Sequence, residues 1–307
     1  MIFKIFISAL FALGSLTAFS PSVKASAPLQ VVTSIPDFAW LIQRLGGDSV
    51  IVQPLLRGTE DPHFVDAVPS HILMASRADL FCFVGLELEV GWVPRVIERS
   101  RNSKIKVGSP GHCDLGNFVQ PLDPIDGPID RSMGHLHASG NPHYWLSPTI
   151  MGDLAQVVAQ KLSELRPQNR DSFVEAANGL RKELQELAKR QAQRLQGQNL
   201  KILEYHAEFS YLIESLGLER LPYEIEEKPG VPPSASALYD RIQRAKRDEV
   251  RLVLASPSSP HRLLRRFSKE SGIPVLRLPT MTTEGDYQRF YRGLVDQILE
   301  HSQGSSS

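Results

Sequence analysis

Short apolar runs alternate with amphipathic helical patterns along this chain, and the scheme occurs twice, once on each side of a long helical stretch. In the first half the expected strands are 29–35, 50–56, 78–85 and 104–109, with helices expected around 38–45, 70–76 and 92–99. In the second half, expected strands at 200–206, 221–225, 250–256 and 274–278 alternate with helices near 208–216, 234–247, 261–271 and 286–301. Parallel strands need long crossover connections, and a helix is the usual one. Alternation of this kind therefore predicts parallel sheets with helices on their faces. The expected fold class is α/β: two βα lobes, each with a parallel four-stranded sheet, joined by a long rigid helix.

Between the halves, Ile150, Leu154, Val157, Val158, Leu162 and Leu165 recur at helical spacing until Pro167 interrupts them. Phe173, Ala177, Leu180, Leu184, Leu187 and Leu195 then mark a second helix. A helix of about 25 residues spans roughly 37 Å, close to a domain diameter. Its stripe is too short and irregular for a coiled-coil arm, which leaves a spine between two lobes. The expected organisation is a signal peptide at 1–25, an N-terminal lobe at 26–166, a linking helix at 167–197, a C-terminal lobe at 198–302 and a tail at 303–307. The Pro-, Asp- and Gly-rich segment 116–140 has no periodicity and predicts a mobile excursion.

The first residues read as a targeting segment. Lys4 precedes an apolar stretch from Ile5 to Phe19, and Val23-Lys24-Ala25 puts small residues at the −3 and −1 positions of a cleavage site. This pattern predicts export with cleavage near Ala25, to the periplasm, and the apolar run is short for a membrane anchor. Neither cysteine lies at that site, so it offers no lipid acceptor. Lys+Arg and Asp+Glu both number 34, which leaves no basic footprint for a nucleic-acid partner. Two cysteines cannot make a disulfide-dense scaffold, although Cys82 and Cys113 could pair in an exported chain.

Three of the nine histidines occupy suggestive places. His63 follows the second expected strand, His206 ends the first expected strand of the second half, and His143 lies in the loop that enters the spine. Ligands of open α/β sheets bind outside the carboxyl ends of the strands. Two facing lobes would bring these histidines to one crevice. Three imidazoles with an open fourth position match a zinc site. A zinc-dependent hydrolase would use the same site, but it needs a positioned general base. His-Glu-x-x-His and Gly-x-Ser-x-Gly are both missing.

Several segments, in order, carry a resemblance. They are Val32-Thr33-Ser34-Ile35-Pro36-Asp37, Asp61-Pro62-His63, Ala78-Asp79-Leu80-Phe81, Asn141-Pro142-His143-Tyr144-Trp145, Tyr205-His206 and Pro229-Gly230-Val231-Pro232-Pro233-Ser234. Together they resemble the zinc/manganese class of solute-binding proteins of ABC importers. The resemblance implies two βα lobes joined by one long helix with the metal between them, a membrane permease as partner, a monomer, and no enzymatic activity. It implies His63, His143 and His206 as the metal ligands. Relatives similar to zinc binders carry histidine at the third position, where manganese binders tend to carry Glu. Zn²⁺ is thus expected over Mn²⁺, in keeping with imidazole ligation. An adhesin without metal is a further alternative on the same fold.

The chain departs from that pattern at the fourth ligand. Many members place an Asp after the last strand, where this sequence has Pro279, Thr280 and their neighbours. Glu284 and Asp286 are the nearest carboxylates, with Asp286 equally suited to cap the last helix. A water ligand, or an acid from the 224–227 run, stays open. His135 and His137 stand where zinc-importing relatives often have a histidine-rich loop. They are expected to form an auxiliary capture site or to meet a zinc-donor protein.

Overall fold

The computed structural model describes residues 27–124, 137–226, 228 and 230–304; the expected signal peptide, His135, Glu227 and the last three residues lie outside this set. The N-terminal lobe runs β1 (Leu29–Thr33), α1 (Pro36–Gly46), β2 (Val50–Pro54), α2 (Pro69–Arg77), β3 (Leu80–Phe83), α3 (Val93–Ser100) and β4 (His112–Asp114). Its strands pair in parallel in the order β2-β1-β3-β4. Two helices follow, α4 (Pro148–Leu165) and α5 (Arg170–Leu195). The C-terminal lobe comprises β5 (Lys201–Glu204), α6 (Ser210–Ser215), β6 (Glu219–Glu224), α7 (Ala235–Arg247), β7 (Leu252–Ala255), α8 (His261–Ser271), β8 (Val275–Arg277) and α9 (Tyr287–Gly304). Its sheet repeats the arrangement, β6-β5-β7-β8, again all parallel. The fold is the expected α/β pair of sheets.

Local chemistry sets the element ends. Proline opens α1, α2 and α4, where its missing N–H costs nothing and its fixed φ suits the first turn. The Ser147 hydroxyl accepts from the Ile150 amide and caps α4, and Ser234 does the same for α7 through Ala237. Pro167 opens a short 3-10 turn, Pro167–Asn169, which separates α4 from α5. α5 is one unbroken helix of 26 residues, roughly 39 Å long at 1.5 Å per residue.

The fourth strand of the first sheet lies further along than its expected position at 104–109. That stretch begins as a 3-10 turn, Ser103–Ile105, because the Asn102 side chain accepts from the Lys104 amide and donates to the Ala75 and Ala78 carbonyls. Val107 looked like a strand position yet is exposed. The strand itself, β4, has three residues, too few to show a period of two. It sets Cys113 directly opposite Cys82 on β3; both are buried thiols, not a disulfide. The segment 116–140 is less of an excursion than expected in its described parts. Residues Leu115–Phe118 form a 3-10 turn, and the Leu122 amide donates to the Tyr211 hydroxyl at 2.8 Å. At the other end of the chain, α9 continues to Gly304, into the expected tail.

One continuous apolar core runs from the first sheet through α4 and α5 to the inner face of the second sheet and α9. A second cluster lies beneath α7 and α8 on the far face of that sheet. α4 and α5 approach closely at Gly152, where an added Cβ would meet the Arg181 backbone at 3.3 Å. Polar ties also cross between the lobes. The Trp145 indole donates to the Thr280 carbonyl at 2.7 Å, and the Tyr287 hydroxyl donates to the Trp145 carbonyl at 2.7 Å. Arg220 grips Asp123 with two nitrogens, each at 2.6 Å. The Asp37 carboxylate, wholly buried at the start of α1, accepts from the Thr282 amide at 3.3 Å. These contacts and the shared core make the two lobes one packed body and leave a cleft at the loop ends.

Candidate metal centre

The cleft is built by three loops. His63 lies between β2 and α2, His143 lies just before α4, and His206 follows the carboxyl end of β5. Each ring is 5.3–5.7 Å from the other two, centroid to centroid. One ring nitrogen from each lies within 4.8 Å of the others. Among the described residues this is the group of histidine, cysteine and acidic side chains arranged to hold a metal ion. The loops approach closely elsewhere too. Gly58 has φ 92°, and an added Cβ would sit 2.3 Å from the Thr282 carbonyl oxygen, so this crossing requires glycine.

The same local device presents two of the rings. Asp61 Oδ1 accepts from the His63 amide at 3.0 Å and faces its Nδ1 at 2.8 Å. Asn141 Oδ1 accepts from the His143 amide at 3.0 Å and faces its Nδ1 at 2.9 Å. Both are Asx-Pro-His triplets, in which a short side chain takes over the backbone donor two residues on. The acceptor at Nδ1 places the proton there and leaves Nε2 with its lone pair free for a metal. The third ring has an equivalent partner from another strand. Glu226, just past β6, puts Oε2 3.1 Å from His206 Nδ1 as an ion-pair contact, off the line of an ideal hydrogen bond.

The three sites differ in electrostatics. Burial, with the imidazoles of His63, His206 and His137 adding to it, holds His143 well below the usual histidine range, so it stays neutral. Burial would do the same to His206. Contact with Glu226 and the charges of Glu208, Glu226 and Glu224 outweigh that effect and push it up to about 9. Glu208 is itself raised to about 7 by burial, partly offset by His206, and its Oε2 has no hydrogen-bond partner among the described residues. Burial would raise Asp61, but its hydrogen bonds and charge pairing with His63 hold it below the ordinary carboxylate range.

Not every residue proposed from the sequence reaches this centre. Glu284 pairs with Arg289 at 3.1 Å, and Asp286 caps α9 by accepting from the Arg289 amide. Both open onto a separate surface pocket with Phe290 and Gln297, and neither joins the histidine group. The structure thus places the two acids expected as possible fourth ligands at the start of the last helix, outside the histidine group. His137, expected in an auxiliary loop, has its Nε2 3.1 Å from His63 Nε2.

The sequence of residues 31–301 matches the family described as ZnuA, zinc-uptake complex component A, periplasmic. The chain belongs to the ZnuA family. It is 25% identical over 260 residues to the zinc-binding lipoprotein AdcA of Streptococcus pneumoniae strain R6, a match over 84% of this chain and 51% of AdcA. The chain thus spans about half the length of that relative. It is 22% identical over 311 residues to the manganese ABC transporter substrate-binding lipoprotein PsaA of the same species, over 97% of this chain and 96% of PsaA. In three dimensions it is similar to a crystal structure of ZnuA, with TM-score 0.73 and 24% identity, over 90% of this chain and 99% of that one. The ZnuA family is one of uptake components and not of enzymes, so the hydrolase alternative is not favoured. No helix among the described residues is long and apolar enough to cross a membrane.

Sequence reasoning missed Asp61, Asn141 and Glu226 as partners of the three histidines. For the first two a signal existed, because Asx-Pro-His occurs at 61–63 and again at 141–143.

Proposed function

We propose that this chain binds one zinc ion outside the cytoplasm and hands it to the membrane permease of an ABC importer. His63, His143 and His206 supply the ligands through Nε2. The observation that carries this reading is the convergence of three imidazoles from three separate loops, each with an oxygen at Nδ1. Such second partners fix the ring and raise its basicity. Membership of an uptake family supports the same conclusion. An all-nitrogen set favours zinc over manganese, which prefers carboxylate and water oxygens. Cleavage near Ala25 and a periplasmic, monomeric protein complete the reading, as do lobes at 26–166 and 198–302 about the 167–197 helix. A zinc-donor protein is proposed as a second partner.

The decisive experiment is elemental analysis of the purified chain with competitive zinc titration of His63→Ala, His143→Ala and His206→Ala. About one zinc per chain is expected, with a large loss of affinity in each variant. Unchanged affinity in any two of the three refutes the assignment.

A further inference from the structure

Resting on the reading of this chain as an exported protein that meets a membrane permease, we infer that the outer face of α7 and α8 is a docking surface for anionic lipid headgroups. The whole chain is balanced, with 34 Lys and Arg against 34 Asp and Glu, but the balance is not uniform. Residues 235–271 hold nine Lys and Arg against four Asp and Glu, which leaves the rest of the chain with an acidic excess of five. Such asymmetry sets up a local field that the net charge hides.

Helical spacing gathers these cations on one side. In α8, Leu264 and Phe267 are buried in the apolar cluster beneath the helix, while Arg262, Arg265, Arg266 and Lys269 are exposed. Those four stand at i, i+3, i+4 and i+7, a single stripe along the solvent face. α7 lies beside α8 over the same apolar cluster. The Lys246 ammonium donates to the Glu270 carbonyl at 2.7 Å and ties the ends of the two helices together. Arg247, at the end of α7, and Arg251, just before β7, are exposed as well. Arg241 and Arg244 are engaged elsewhere, stacked on Tyr223 at 5.5 and 3.6 Å from the ring centre. Within the α8 stripe only Arg266 has an acidic partner among the described residues, Glu270 at 2.7 Å. Tyr239 is exposed too, and it precedes Lys246 by two turns, so it stands on the same side of α7.

The arrangement selects its partner. The stripe is a row about 10 Å long rather than a ring about one point, so it fits an array of anions better than a single ion. Arginine predominates among the exposed cations, and its planar fork matches phosphate oxygens two at a time. A tyrosine beside a basic stripe suits a membrane–water interface, with its ring in the headgroup layer and its hydroxyl in water. At the membrane where the metal is handed over, phosphate headgroups are the anionic array within reach. Weak, salt-sensitive residence there raises the concentration of the loaded chain at its permease without touching the metal centre.

The test is co-sedimentation of the zinc-loaded mature chain with vesicles of phosphatidylcholine alone, or with about one third phosphatidylglycerol. Binding is expected only to the anionic vesicles and should fade between about 0.05 and 0.5 M salt as the charges are screened. Each cation near such a surface contributes on the order of fivefold in partitioning, so Arg262→Gln, Arg265→Gln and Lys269→Gln together should cost about 100-fold. Arg262→Lys with Arg265→Lys keeps the charge and should bind far better than that triple variant. Arg95→Gln, Arg99→Gln and Lys106→Gln remove the same charge from exposed positions in and after α3. This control should bind vesicles within about threefold of the parent. Equal binding of the parent to both vesicle types, or an equal loss in the two triple variants, overturns the inference. So does retention on a soluble polyanion without vesicle binding, which assigns the face to an acidic macromolecule instead. Zinc titration keeps the two readings apart. Failure to bind vesicles with zinc affinity intact ends the docking face and leaves the metal centre standing, and histidine variants that refute the metal centre leave the vesicle result unchanged.

Discussion

Asp61 holds His63 at two points, accepting from its amide at 3.0 Å and standing 2.8 Å from its Nδ1. Asn141 holds His143 in the same geometry without a charge. The comparison separates two roles of the acceptor: positioning the ring needs only an oxygen, while raising its basicity needs the carboxylate.

Asp61→Ala removes both roles and should weaken zinc binding about 10–100-fold, the usual cost of losing an outer-shell partner. Asp61→Asn keeps the geometry already seen at Asn141 and should lose less. Competitive titration of the two variants side by side decides the matter. An alanine variant as tight as the parent would show that the Asx-Pro-His turn is dispensable.

Zinc affinity should keep rising with pH well above neutrality. In the metal-free chain His206 is raised to about 9, so its proton is held below that pH and zinc must expel it. His143 is held neutral and adds no such competition. The sign is definite: affinity falls as pH drops, with a slope near one proton between about pH 7 and 9. Glu226→Gln removes the main partner that raises His206 and should flatten that slope. A profile level from pH 7 to 9 in the parent would sink the prediction.

Zinc should bind more tightly than manganese at matched free-ion concentrations. Intrinsic affinity also rises from Mn²⁺ to Zn²⁺, so the size of the gap is as informative as its sign. Isothermal titration with each ion measures it, and tighter manganese binding would contradict nitrogen ligation.

Asp37 links the lobes and should carry a stability signature. Burial raises its carboxyl to about 8, against the amide of Thr282, which lowers it. A folded pKa above the unfolded value gives stability that is complete below about pH 4 and is lost as pH rises through about 8. Asp37→Asn retains an acceptor for Thr282 and has no charge to bury. Its unfolding free energy relative to the parent should therefore increase between pH 5 and 8 by at least about 1.4 kcal/mol, the worth of one pKa unit. Denaturant melts at the two pH values provide the comparison. Parallel pH profiles would mean that water or a local rearrangement accommodates the charge.

The paired lobes and the three histidines were legible because their signals are local or periodic. Apolar runs of strand length alternate with helical stripes, and each histidine follows a recognisable boundary. What escaped is set by distance in the fold. β4 is placed by the Asn102 turn and by pairing with β3, not by its own three residues. Glu284 and Asp286 lie at the start of α9, where Arg289 and the helix cap engage them. Glu226 acts from a neighbouring strand end; the acidic 224–227 run marked the region but not which acid meets His206. His137 was visible as part of a histidine-bearing loop, but its approach to His63 depends on the Gly140 turn and on the Leu122 carbonyl.

The distribution of the three histidines over separate loops has a consequence for timing. His63, His143 and His206 are brought together only when both sheets and the α4–α5 hairpin have assembled. Closing such long loops costs entropy, and the chain recovers it only when the core forms. An unfolded chain therefore has no chelating triad, and zinc cannot act as a template for the early steps of folding. If the chain is exported, as the proposed function has it, and crosses unfolded, it arrives empty, and its cargo is chosen by the ions on the far side.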